Sequence, residues 1–436
     1  HLPLVEMILF YGASINEKGS DGATPLIWAA SQGHTDVVKS LLAKGADPQI
    51  EDDHGKTALV HALLKNYLQT AQLLYKGGAD LNLNLIYDAK RGFPKMVTYL
   101  LEQGADHSWI TENQETPLIL AALAKNYKSA EILLGNGADP NWTDHNSLSP
   151  LNHAVMNGDM SMVKLLLNHS VDPNTSGVQG NTALMNAVSH GYPLIALKLL
   201  QSGAQVNAIN QTGQTALMLA ASKGYRETVK LLHQHSASID TQDLNERNAL
   251  IHAASNGKSL VVQYLLEEDA DYQVNALDLQ GNGGSALIHA ARGGHLDVLR
   301  LLLMKTLNIN EVELTQRRTA LMEASIRGHR ESVNLLIDHG ADLNLTDFRG
   351  QTVLGLAVSR GHHEISRDLL ARGASSQEKD RNANNLLHLA ANIGDLPIIE
   401  MLLQAGVSKE AVNRDGHTPL MLALKKNHSE TIPLLR

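Results

Sequence analysis

The chain has 436 residues, a formal net charge of −9 and no cysteine. The missing cysteine excludes a disulfide framework and thiol chemistry, and the acidic balance argues against general nucleic-acid binding. Hydrophobic residues make up 43% and aromatics only 4%, so the core is expected to be aliphatic, and no apolar run of about 18 residues offers a membrane span.

In chain order, Leu2 to Gly12 read as a lone second helix. The first full block opens at Thr24-Pro25-Leu26. Thr24 suits an N-cap, and Pro25 follows at the first helical position, where its missing N–H is harmless. Leu26, Ala29, Ala30 and Gly33 share one helical face. Gly33 ends this helix, a second runs through Val37, Val38, Leu41 and Leu42, and Gly45 stops it. Ala46-Asp47-Pro48 then opens a polar hairpin. The block returns with a 33-residue step from Thr24 to Thr57, and again from Thr116 through Ser149 to Thr182. Its cap position continues at Thr215, Asn248, Ser285, Thr319, Thr352, Asn385 and Thr418. The substitutes Ser149, Asn248, Ser285 and Asn385 are all residues that cap. Such a period predicts small stacked units, none able to bury its apolar face alone.

Three places break the phase. Leu83 holds the cap position 26 residues after Thr57. A hairpin is missing there, Leu83 cannot cap, and Asp88 occupies a slot that expects buried alanine. Lys90 and Arg91 are expected to pair with Asp88 across a strained joint. The step from Asn248 to Ser285 is 37 residues, which predicts a loop from about Tyr272 to Gly284 ending Gly281-Asn282-Gly283-Gly284. The step from Ser285 to Thr319 is 34, with Thr306 where a glycine should end a helix. His1 aligns with His34, and Leu434-Leu435-Arg436 fall inside another block. The chain therefore reads as a segment of a longer protein.

Thr24-Pro25-Leu26, Thr116-Pro117-Leu118, Thr418-Pro419-Leu420 and Leu387-His388-Leu389-Ala390-Ala391, with the recurring Gly-Ala-Asp, resemble the ankyrin repeat family over essentially the whole chain. The resemblance implies an all-α solenoid of helix–turn–helix units with hairpin fingers. It also implies a curved superhelix with a concave binding face, and protein–protein recognition instead of catalysis. Residues 1–436 are expected to form one monomeric array of about 13 repeats plus an N-terminal half repeat. Its short repeat lies near 83–106 and its insertion near 272–284.

Chemical motifs are weak. Gly55-Lys56-Thr57 ends like a phosphate loop, but Ile50 stands where the motif needs glycine. The simpler reading is a turn followed by its cap. Of the 21 histidines, His34, His295, His329 and His362 follow a turn glycine and are expected to bond backbone. His233, His235 and the His362-His363 pair lack metal-ligand spacing. No catalytic residue, cofactor or metal is assigned.

A partner is expected on side chains that the core leaves free. Trp28, His61 and Tyr87 take equivalent first-helix slots in successive copies, with Trp109 and Trp142 in two hairpins. These are candidate aromatic anchors, unless Trp28 packs on its neighbours and the other tryptophans brace the stack. Farther on, Arg292, Arg327 and Arg360 lie on first helices, and Arg247, Arg317, Arg318, Arg349 and Arg381 in the hairpins. Phe348 is among them and Glu323 interrupts the row. Arginine forks suit carboxylates and phosphates, so an acidic or extended peptide is the expected ligand. His153, Asn186, His252 and His289 form a polar row, either reading an extended peptide or serving as exposed filler. The leading expectation is a non-enzymatic scaffold that binds a protein on its concave face. The alternatives are a targeting or regulatory module of a larger enzyme, toxin or bacterial effector, and a sensor of a phosphorylated small molecule or nucleic acid. Composition fits a cytoplasmic protein or one secreted into a host cell.

Overall fold

The computed structural model describes residues 2–268, 277–278, 283–305 and 308–436. His1, Tyr272, Gly281, Asn282 and Thr306, which figure in the expectations above, lie outside the described residues. The chain packs as two compact units, His1–Gln205 and Val206–Arg436. Each is a stack of short helix pairs, so the fold is the all-α ankyrin solenoid.

In unit 1 the helices are α1 (Leu2–Phe10), α2 (Pro25–Ser31), α3 (Thr35–Ala43), α4 (Ala58–Leu64), α5 (Leu68–Lys76), α6 (Leu81–Arg91), α7 (Pro94–Glu102), α8 (Pro117–Leu123) and α9 (Tyr127–Gly135). The pairs Pro150–Met156 with Met160–Leu167 and Ala183–Ser189 with Pro193–Gln201 complete it. Unit 2 repeats the pattern from Ala216–Lys223 to Pro419–Lys425. Among the described residues the fingers carry no extended strands, only isolated bridges such as Ser176 to Thr182.

The cap position works as its chemistry dictates. Thr24, Thr57, Thr116, Ser149, Thr182, Thr215, Asn248, Thr319, Thr352, Asn385 and Thr418 each accept the N–H three residues on. Ser285 is the departure: it holds the cap position without a cap hydrogen bond. Two residues past each cap, Leu26, Leu59, Leu118, Leu151 and Leu184 are buried, each contributing about 1.5–3 kcal/mol over exposure. Three residues farther on, alanines such as Ala62, Ala121, Ala154 and Ala187 are fully buried and let first helices pack closely.

Fingers are stitched in register. Asn16, Asn141, Asn174, Asn207 and Asn310 each accept, through Oδ1, a backbone N–H from the next finger, and Asn82, in the first turn of the helix that replaces the missing finger, does the same for Asp106, all at 2.7–2.9 Å. Farther along the fingers the backbones bond directly, as from His145 N–H to the Asn113 carbonyl and from Phe348 N–H to the Gln316 carbonyl.

The short repeat is repaired in an unexpected way. Leu83 does not cap. Instead α6 begins at Leu81, and the Asp80 carboxylate accepts the N–H groups of Asn82 and Leu83. Thr57 donates its hydroxyl to Asn84 Oδ1 at 2.7 Å, sealing that seam. α6 packs closely on α8 and only lightly on α4. Asp88 is fully buried in the alanine slot, and neither carboxylate oxygen has a hydrogen-bond partner. The expected pairing with Lys90 and Arg91 does not form. Lys90 is exposed and the Arg91 guanidinium donates to the His54 carbonyl.

Candidate partner-binding surface

The first-helix slots that predict an aromatic row in unit 1 are used unevenly. Trp28 is 53% exposed and is the freest large side chain of the row. Tyr87 is half-buried. Burial and then the neighbouring Glu51 carboxylate, with which it shares a hydrogen bond, push its hydroxyl pKa up. Trp109 is half-buried. Trp142 donates its indole N–H to the Gln114 carbonyl at 2.9 Å, bracing one finger on the previous one. His61 is half-buried, and its Nε2 is engaged with Asp52 Oδ2 at 2.7 Å.

The same pairing overturns the polar row. His153, His252 and His289 are buried, held by Asp144, Asp243 and Asp278 at 2.8–3.0 Å. Each aspartate stands in the finger ahead of the helix. In Asp52, Asp144 and Asp243 the other oxygen accepts the N–H groups two and four residues on, which shapes the turn. Burial holds the His252 imidazole below its usual pKa even against the Asp243 bond. Asn186 is half-buried. A recurring Asp-x8-His spacing, present at 52/61, 144/153 and 243/252, was the signal for these pairs, and slot-by-slot reading of helix faces passes over it.

The turn histidines bond backbone as expected. His295, His329 and His362 each set Nε2 against a carbonyl of the previous first helix, Ser255, Arg292 and Ile326, at 3.0–3.2 Å. His34 has no such bond among the described residues, which include no first helix ahead of α1. His233 meets the Tyr264 hydroxyl and His235 the Leu231 carbonyl. Among the described residues no three acidic or histidine side chains converge on a point where a metal could sit. Thr57 is the cap of α4, which matches the simpler reading of Gly55-Lys56-Thr57.

In unit 2 the arginines divide. Arg247 binds the buried Asp278 at 2.8 Å. Arg292 binds Glu323 at 3.0 Å, and Arg318 reaches both Glu323, at 3.6 Å, and Asp347, at 3.9 Å. Glu323 is itself buried. So Arg292 and Arg318 are neutralised inside the stack and are withdrawn from the expected row. Arg317, Arg327, Arg349, Arg360 and Arg381 remain exposed. None of them forms an ion pair with a described residue. Their placement also differs from a single stripe. Arg349 and Arg381 stand on fingers, with the Arg381 guanidinium 4.9 Å above the Phe348 ring, itself 55% exposed. Arg327 and Arg360 stand at the far ends of first helices, about 12 Å along the axis from the caps.

On the second-helix side most arginines are paired. There Arg330 pairs with Asp368 at 2.6 Å and with Glu364, Arg367 with Glu364, and Arg372 with Asp338. Arg300, on the second helix Leu296–Leu303, is exposed and forms no ion pair with a described residue, so unpaired arginine is more frequent on first helices and fingers without being confined to them.

Stacked helix pairs with a free first-helix and finger side define a repeat protein built for recognition. A family model described as ankyrin repeats in three copies matches residues 1–84, 85–144, 124–210, 195–278, 272–347 and 354–436. The chain belongs to the ankyrin-repeat family, whose arrays are protein–protein interaction modules. It is 35% identical over 95 residues to the ankyrin repeat and SAM domain-containing protein 6 of Mus musculus, covering 22% of this chain and 11% of that protein. It is 32% identical over 112 residues to the B-cell lymphoma 3 protein homolog of Mus musculus, covering 24% and 25%. Danio rerio ZDHHC13, provisionally named a palmitoyltransferase, is 31% identical over 139 residues, covering 30% of this chain and 22% of that protein. The matches thus span a quarter or less of these relatives' own lengths. Among the described residues no helix is long and apolar enough to cross a membrane.

Proposed function

We propose that the chain is a recognition scaffold that holds an acidic, extended segment of a partner protein against the first-helix and finger side, without catalysing a reaction. One observation carries this reading. In unit 2, on the second-helix side, Arg330 and Arg372 are paired across copies and Arg367 within its own helix, with Arg300 exposed and outside any ion pair with a described residue, while on the first-helix and finger side Arg317, Arg327, Arg349, Arg360 and Arg381 are all exposed and unpaired. An exposed guanidinium binds carboxylates through two parallel N–H donors. The Phe348 ring beneath Arg381 adds an apolar face beside the charge. Trp28 supplies a comparable exposed anchor in unit 1.

The test is a fluorescence-anisotropy titration of a labelled, extended Asp/Glu-rich peptide. Charge reversal at Arg349 and Arg381, and separately at Arg327 and Arg360, is expected to weaken binding about tenfold or more and to flatten its salt dependence. The unfolding midpoint should be unchanged, since these side chains touch no buried acid. Equal affinity for wild type and both double variants at low salt removes the arginines from the account. Tight, saturable binding of a nucleotide or oligonucleotide by the same residues would favour the phosphorylated-ligand alternative.

A further inference from the structure

The edge where first and second helices turn into each other, opposite the fingers, has its own chemistry in unit 1. The missing finger leaves α6 lightly packed on α4. At the turns of these two pairs lies an open cleft of about 480 Å³, lined by Leu64, Leu68, Phe93, Pro94 and Lys95 among others. A second cleft of about 270 Å³ adjoins it through Pro94 and is lined by Lys125, Tyr127 and Lys128. The first volume lies in the range of clefts that accept small ligands, about 300–1,000 Å³. Leu64 and Leu68 are 40% and 53% exposed at its rim, and Tyr127 stands 39% exposed by the second.

The charge here is one-sided. Lys65, Lys90, Lys95, Lys125 and Lys128 are all exposed, and none forms an ion pair with a described residue. Lys125 donates only to the Asn157 carbonyl. The turn segments 64–69, 90–95 and 123–128 contain no Asp or Glu. Acidic residues return at the turns on either side, with Asp36 in α3 and Asp159 capping the helix Met160–Leu167. In a chain of net charge −9, this is a bounded positive patch around an apolar recess. Lys125 also holds a left-handed backbone with φ of 60°, at the turn position where Gly33, Gly92 and Gly158 stand in neighbouring copies. A lysine therefore occupies a site whose backbone favours glycine.

We propose that this turn edge, from α4 to α9, docks an acidic amphipathic helix of a partner protein, its apolar face filling the two clefts and its carboxylates meeting the lysines. The recessed shape selects this occupant over an anionic membrane, which needs apolar side chains that project outward. Helix-in-groove recognition places anchors one turn apart, which suits two adjoining clefts. The surface is separate from the arginine side of unit 2 and does not depend on it.

The experiment uses the intact 436-residue chain. The probe is a fluorescein-labelled helical peptide of about five turns, with Leu and Phe on one face and Glu on the other. Its scrambled isomer and phosphatidylserine vesicles serve as competitors. The amphipathic peptide should bind at least about tenfold more tightly than the scramble. Lys95→Glu with Lys128→Glu should cost about tenfold or more. Lys125→Gly should weaken binding while raising the unfolding midpoint, because glycine suits the positive φ. Arg349→Glu with Arg381→Glu should leave this peptide's affinity unchanged. No binding, equal binding of the scramble, indifference to both lysine variants, or preference for the vesicles would each overturn the proposal.

Discussion

Asp88 shows what a single side chain can reveal. Every other copy places alanine in its slot, as at Ala62, Ala121 and Ala290, because first helices meet there with no room for solvent. Burial drives the Asp88 carboxyl well above its usual pKa, and the Arg91 charge opposes this only in part. A raised folded value fixes the sign. Below the unfolded pKa, near 4, both states are protonated and folding carries no ionisation penalty. As pH rises toward the folded value, the unfolded chain releases its proton first and stability falls. Asp88→Ala should therefore be more stable by about 1–3 kcal/mol near neutrality, with the gain shrinking toward pH 4. Urea titrations of both proteins across that range measure it, and a gain independent of pH would contradict the assignment. The slot and its mismatch were legible from repeat phase alone. The missing partner was not: Lys90 and Arg91 are near in sequence, but helical geometry turns one outward and sends the other to the His54 carbonyl.

Among elements, α6 carries the lesson. Its shortened step was readable from the sequence, as was the inability of Leu83 to cap. Asp80 as the replacement was missed, because the frame placed the cap at Leu83 when three further residues, Leu81 to Leu83, were free to join the helix. Asp80→Ala should cost about 1 kcal/mol, whereas Leu83→Thr should recover nothing, since position 83 already lies inside the helix. Thermal unfolding of the two variants separates these outcomes. The candidate arginine row failed in part for a related reason. Arg247 with Asp278, and Arg292 with Glu323, are partners 31 residues apart. Such pairs depend on how neighbouring copies align, which helical periodicity along one copy leaves undetermined. Exposure of Arg327, Arg349 and Arg360 followed from their slots, and that much of the site was legible.

For the molecule as a whole, stability is set by each copy's hold on its neighbours. A light contact between α4 and α6 should let unit 1 open there before it opens elsewhere. Hydrogen exchange should show amides of α2 to α5 exchanging together and sooner than those of α8 and α9. Uniform protection across these helices would mean that the joint is as strong as the rest. The asparagine rungs between fingers have a further consequence. Copies that carry the asparagine offer an acceptor forward and a donor backward, so two such copies joined head to tail regenerate the same seam. Duplication or loss of one of these asparagine-bearing modules would leave that hydrogen bond intact at the junction, so the length of the array can change there while its side-chain surface diversifies.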